Sequence, residues 1–183
     1  ESEMTEPKPF DILADAAERY GRFSLDNYAQ IRNVAESVSS GFCRYLSGGE
    51  PVCVYLVPPK GEWSPQAYQS GAFSVSGTGF LPLDSISFGL AVRVSRTGDW
   101  LRIVLTCTKK GPEMEIEIEN GTTIALELPV RADQLSRLFS ILFEHLTVWF
   151  SQQADLYENG DYGDRGIGFE FLHKPEDAAA PVR

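Results

Sequence analysis

The densest cluster of oxygen ligands in the chain is YENGDYGDRGIGFEF, Tyr157 to Phe171, where Glu158, Asn159, Asp161 and Asp164 sit among four glycines. Carboxylates so spaced could hold a hard cation in an EF-hand loop, which needs oxygens at alternate positions, a glycine at its sharp turn and a closing glutamate. With Gly160 at the turn, Tyr157 and Gly166 fall where ligands are required. With Gly166 there, Gly163, Arg165 and Leu172 do. No register supplies the set, so the segment reads as turns, with Gly160 ending a helix in a left-handed conformation. No metal and no cofactor are expected.

Acid–base and nucleophilic chemistry is thinly provided. The only histidines are His145, within an apolar helical pattern, and His173, at the start of the tail. No GxSxG elbow accompanies them, and two histidines with scattered cysteines leave no zinc spacing. SGTGF, Ser76 to Phe80, resembles a phosphate-binding loop, but Leu81-Pro82-Leu83 follows where a helix N-terminus would be required. Cys43, Cys53 and Cys107 form no CxxC pair; their odd number and apolar neighbours predict buried, reduced thiols in a cytosolic protein.

Two features carry binding chemistry instead. Glu113, Glu115, Glu117 and Glu119 alternate, so one sheet face carries all four, with Glu127 on the next strand pointing the same way. That row could meet a basic partner or a cation; as a solvated face it also guards against edge-to-edge aggregation. The loop PPKGEWSPQAYQSG presents Trp63 and Tyr68, which either fold back over the core or stand out as binding anchors.

The elements that would position these residues begin after a charged lead, residues 1–9. Phe10 to Tyr20 reads as a short helix, and Ser24 is placed to cap a second helix running to Gly48-Gly49. VCVYLV, Val52 to Val57, reads as a strand buried on both faces, and Phe73 and Val75 as a short strand. Ser87–Ser95, Trp100–Thr108, Glu113–Glu119 and Thr122–Leu128 alternate apolar with polar residues. Turns at Thr97-Gly98, Lys110–Pro112 and Asn120-Gly121 separate them. A long helix from Arg131 to Tyr157 carries the stripe Leu135, Leu138, Phe139, Leu142, Leu146, Trp149 and Phe150, with Ile141, Phe143 and Val148 off it. Ile167 to Leu172 reads as a last edge strand.

The expected fold is α+β: N-terminal helices, an antiparallel meander of five or six strands, and a long C-terminal helix on one sheet face. One domain spans residues 10–173, and residues 1–9 and 174–183 are flexible. This architecture resembles that of small acidic secretion-chaperone-like domains.

The chain has 183 residues, a formal net charge of −10 and a pI of about 4.7. That charge argues against nucleic acid or an anionic membrane as partner. No signal-peptide pattern or membrane-spanning apolar run is legible. The functional expectation is a non-enzymatic cytosolic protein-binding, adaptor or chaperone-like domain. It self-associates or takes a protein partner through Ile141, Phe143 and Val148, with Trp63, Tyr68, Glu115 and Glu117 as further binding candidates. The alternative is a small-ligand protein or enzyme whose pocket, between sheet and C-terminal helix, is lined by Phe88, Trp100, Phe139 and Phe143.

Overall fold

The structure, a computed structural model, describes residues 6–47, 51–75, 81–161 and 170–172. Its first element is a single helix, α1, Pro9–Ser47, of 39 residues. Two separate helices were expected. Pro9 suits the first helical turn, where its missing N–H costs nothing, and no proline follows until Pro51. Gly21 is carried in the interior, at a cost of about 0.5–1 kcal/mol. Ser24 is not a cap: it is fully buried, and its hydroxyl donates to the Gly21 carbonyl at 2.9 Å within the helix.

The strands are β1 (Val54–Val57), β2 (Ile86–Arg93), β3 (Trp100–Lys110), β4 (Glu113–Ile118), β5 (Thr123–Glu127) and β6 (Glu170–Leu172). They form one antiparallel sheet in the order β1-β2-β3-β4-β5, and β6 pairs with the start of β3. The long β3 is what allows this: Trp100–Arg102 pair with β6 on the side where Leu105–Lys110 pair with β4. Gly98 and Gly111 take positive φ at the predicted turns, as does Asn120 in the β4–β5 turn. Two expectations change. VCVYLV is the edge of the sheet, with Tyr55 and Leu56 only half-buried and Val52 exposed. Phe73 makes only an isolated bridge to Phe88, so no strand forms there. The last expected strand is seen over Glu170–Leu172; its first part, residues 167–169, lies outside those described.

Alternation decides which face is the core. The register aligns Val54, Val92, Leu101 and Phe171 in one row, and Ile86, Cys107 and Ile116 in another, on the same face. Two helices cover that face. Helix α1 contributes Ile31, Val34, Ala35, Val38 and Phe42. The second helix, α2 (Ala132–Glu158), contributes Leu138, Phe139, Leu142 and Leu146. Where the helices cross, Phe42 stacks on Phe139 with ring centroids 6.0 Å apart. Gly41 leaves room for that ring; a Cβ there would lie 2.8 Å from Phe139 Cε2. Gly160, at φ +77°, ends α2 as expected.

The cysteines also differ from expectation. Cys43, near the end of α1, and Cys53, beside β1, form a disulfide, with Cα atoms 5.3 Å apart. Only Cys107 is a free thiol, and it is fully buried. An odd cysteine count in apolar surroundings does not distinguish three thiols from a bridge plus one; the crossing of α1 over β1 does. The bridge removes the argument that placed the chain in a reducing cytosol. Among the described residues no helix is long and apolar enough to cross a membrane.

Candidate functional surfaces

Three places concentrate exposed apolar or unusual polar groups. The first is the N-terminal third of α1. The strap Leu81–Ser85 crosses α1 here: Tyr20 Oη donates to the Leu81 carbonyl at 3.0 Å and Asn27 Nδ2 to the Asp84 carbonyl at 3.1 Å. Before the strap, residues 9–19 of α1 are exposed apart from the half-buried Ala17. Phe10 is 74% exposed, Leu13 67% and Ile12 57%, with Phe23 and Tyr20 also open. Phe10, Leu13, Ala17, Tyr20 and Ser24 step by three and four and run straight into Ile31, Val34 and Val38. The face that packs on the sheet thus continues, exposed, along an arm about 16 Å long that ends at the strap.

The second is α2. Ile141 is half-buried and packs against the core, whereas Phe143 and Val148 are exposed. Phe143 is partly sheltered by Tyr45 of α1, their ring centroids 6.0 Å apart. Trp149 and Phe150 both reach Phe171 of β6. The three residues expected to mark one surface are therefore divided between core and solvent.

The third is the outer face of the sheet, where Arg102 is only 7% exposed. Its guanidinium donates to the carbonyls of Pro58 at 2.8 Å and Gly61 at 2.9 Å, and pairs with Glu170. Trp63 lies over the same guanidinium, 5.7 Å from it, and its Nε1 donates to Glu170 Oε2 at 3.2 Å. A charge can be buried here because carbonyls and a carboxylate occupy its donors. Tyr68 accepts from the Ser64 amide at 3.0 Å and packs against the core. The proline-rich loop thus folds back, and its two aromatic residues hold it onto the sheet.

The remaining candidates separate. Glu113 and Glu117 are exposed on the outer face of β4, and Glu115, half-buried, accepts from Lys110 Nζ at 2.8 Å. Glu127 pairs with Arg131 at 3.1 Å. Among the described residues no three acidic, histidine or cysteine side chains are grouped to hold a metal ion. Phe88 is buried beside Phe73 in the core. Trp100 lies on the opposite sheet face against Tyr55, and Phe139 lies at the helix crossing. Phe88, Trp100, Phe139 and Phe143 do not line one cavity. An open groove of about 520 Å³ follows α1 and the β1 edge, lined in part by Arg32, Glu36, Tyr55 and Tyr68. His145 is half-buried on α2, close to the β4–β5 turn, and burial lowers its pKa. His173, the SGTGF segment and most of the acidic glycine-rich stretch lie outside the described residues.

No family model, curated protein or solved structure matches this chain.

The residues missed in the sequence are the ones the arm exposes. Their signal was present: the three-and-four spacing crosses Gly21 unbroken. Nothing in the alternation of β3 singles out Arg102 from an ordinary solvent-facing arginine.

Proposed function

We propose that the chain is a non-enzymatic protein-docking domain of adaptor or chaperone-like kind. The observation that carries this reading is the arm of α1, where Phe10, Ile12, Leu13, Tyr20 and Phe23 stand in solvent on a helix held rigid by its packed remainder. Contiguous apolar surface of this kind marks sites of macromolecular contact, and an amphipathic helix presents it in the form that docks against another helix or groove. The exposed Phe143 and Val148 of α2 offer a second, smaller surface. The scattering of Phe88, Trp100 and Phe139 over three environments favours docking over an enclosed ligand pocket.

Site-specific photocrosslinking in the native cell tests this. A photoreactive residue at Ile12 is expected to give discrete protein adducts; the same residue at the exposed turn residue Thr97 is expected to give none. The reading fails if Ile12 yields no more protein adduct than Thr97.

A further inference from the structure

We infer that the open edge of β1 receives an extended segment of a partner protein, one with apolar residues at alternate positions and an acidic residue beside them. The site is separate from the arm of α1 and does not rest on the docking reading of that arm. Three observations support it.

The first is the direction of the backbone. The Arg93 amide donates to the Cys53 carbonyl at 2.9 Å. Bonding alternates along an antiparallel ladder. Tyr55 and Val57 therefore turn their backbone groups to β2, while Val54 and Leu56 turn their N–H and C=O to the free edge. Among the described residues no group bonds these four. Val54 is only 4% exposed, and backbone groups so covered are nearly always paired. The two residues stand about 7 Å apart along the strand, the repeat at which a further strand offers its own donors and acceptors.

The second is the groove. The open groove of about 520 Å³ runs along this same edge. Ser39, Ser40 and Arg44 line it from α1, and Val52, Val54 and Leu56 line it from the sheet side. A strand that bonds Val54 and Leu56 directs alternate side chains to the face that theirs occupy, between β1 and α1. Val52 is 51% exposed and Leu56 half-buried, so apolar side chains are what this strip covers. Main-chain bonds for affinity, with space for every second side chain, are how extended peptides join a sheet edge.

The third is charge. Within the groove Glu36 is answered by Arg32 at 3.0 Å. Arg44 is exposed and makes no ion pair with a described residue. The groove is thus locally positive in a chain of net charge −10, which favours a carboxylate on the partner strand.

Peptide selection on the full chain, with its disulfide intact, tests the inference. A displayed library of random decapeptides is expected to yield binders with apolar residues at alternate positions and a neighbouring Asp or Glu. N-methylation of one alternate set of backbone amides in a selected peptide is expected to weaken binding about 10-fold or more. N-methylation of the intervening set is expected to have little effect, because those amides face away from β1. Arg44→Glu is expected to weaken binding about 10-fold. Leu56→Pro removes an amide that β2 does not use and is expected to abolish binding with the circular dichroism retained. If that variant unfolds, the methylated peptides and Arg44→Glu decide alone. A selection that yields nothing above a bare surface overturns the inference, as do binders indifferent to both methylation patterns. Binders lost on Leu13→Glu but not on Arg44→Glu overturn it too, and place the peptide on the arm. Self-association of the wild type that Leu56→Pro abolishes makes the occupant a second copy and overturns the choice of partner.

Discussion

Cys107 shows what burial does to a single group. Its thiol sits between strands on the apolar face, and burial pushes its pKa from 9.0 to about 12. The native chain is therefore expected to give no reaction with a thiol reagent. Unfolded without reductant it should titrate one thiol, and with reductant three. Three thiols without reductant would show that Cys43 and Cys53 are not bridged. The same burial makes a pH prediction. The folded-state pKa lies above the unfolded one, so the contribution of Cys107 to stability is complete below about pH 9 and is lost as pH rises from 9 towards 12. Within that window stability should fall by up to ~1.4 kcal/mol per pH unit from this group alone. Urea titrations at pH 8 and pH 10, compared with Cys107→Ala, check it; an equal pH dependence in the variant would remove Cys107 as the cause. Arg102 is the opposite case, a charge buried because it is answered. Arg102→Leu leaves the Pro58 and Gly61 carbonyls without their donor and should cost about 1–3 kcal/mol. Amide exchange in residues 60–63 should rise faster than in β2, and equal rates would show that the arginine does not hold the loop.

Helices and strands differ in how plainly their neighbours are written in the sequence. The inner face of β2, β3, β4 and β5 was legible, because period-two alternation is a local consequence of one-sided burial. The helix α2 was legible from its stripe and ended at Gly160 as read. The continuity of α1 was not, because Gly21 and Ser24 look locally like a stop and a start. What carries the helix through is the strap at Leu81–Ser85, whose contacts with Tyr20 and Asn27 span some sixty residues of sequence. The run VCVYLV gave the same apolar signal whether central or at an edge. Gly41 is the most exacting position on α1, since Phe139 occupies the space a side chain would take. Gly41→Ala gains up to about 1 kcal/mol in helix propensity but loses about 1–3 kcal/mol by overpacking. A net loss is expected, and Phe139→Leu in the same chain should recover part of it. Simple additivity of the two changes would show that the contact is not what limits the site.

For the molecule as a whole, the candidate surface was half-legible: the apolar residues of the arm could be read, but not that they stay exposed. Exposure depends on where a helix leaves its support, and that is set by contacts distant in sequence. The disulfide was hidden for the same reason, since Cys43 and Cys53 meet only because α1 crosses β1. It closes a short loop, and its reduction should lower stability by about 2–3 kcal/mol. Equilibrium urea unfolding with and without reductant measures this directly, and unchanged midpoints would show that the bridge constrains nothing.

The same bridge gives α1 a mechanical character. At 39 residues the helix is about 58 Å long. It is exposed at its tip, strapped near Tyr20 and Asn27, and covalently fastened beside β1 at its other end. That is a lever with a fulcrum and a fixed anchor. A sideways load applied at Phe10 turns about the strap and meets first the packed stretch Ile31–Phe42, with the covalent link from Cys43 into Cys53 behind it, so the sheet and its β1 edge share what is applied at the exposed tip.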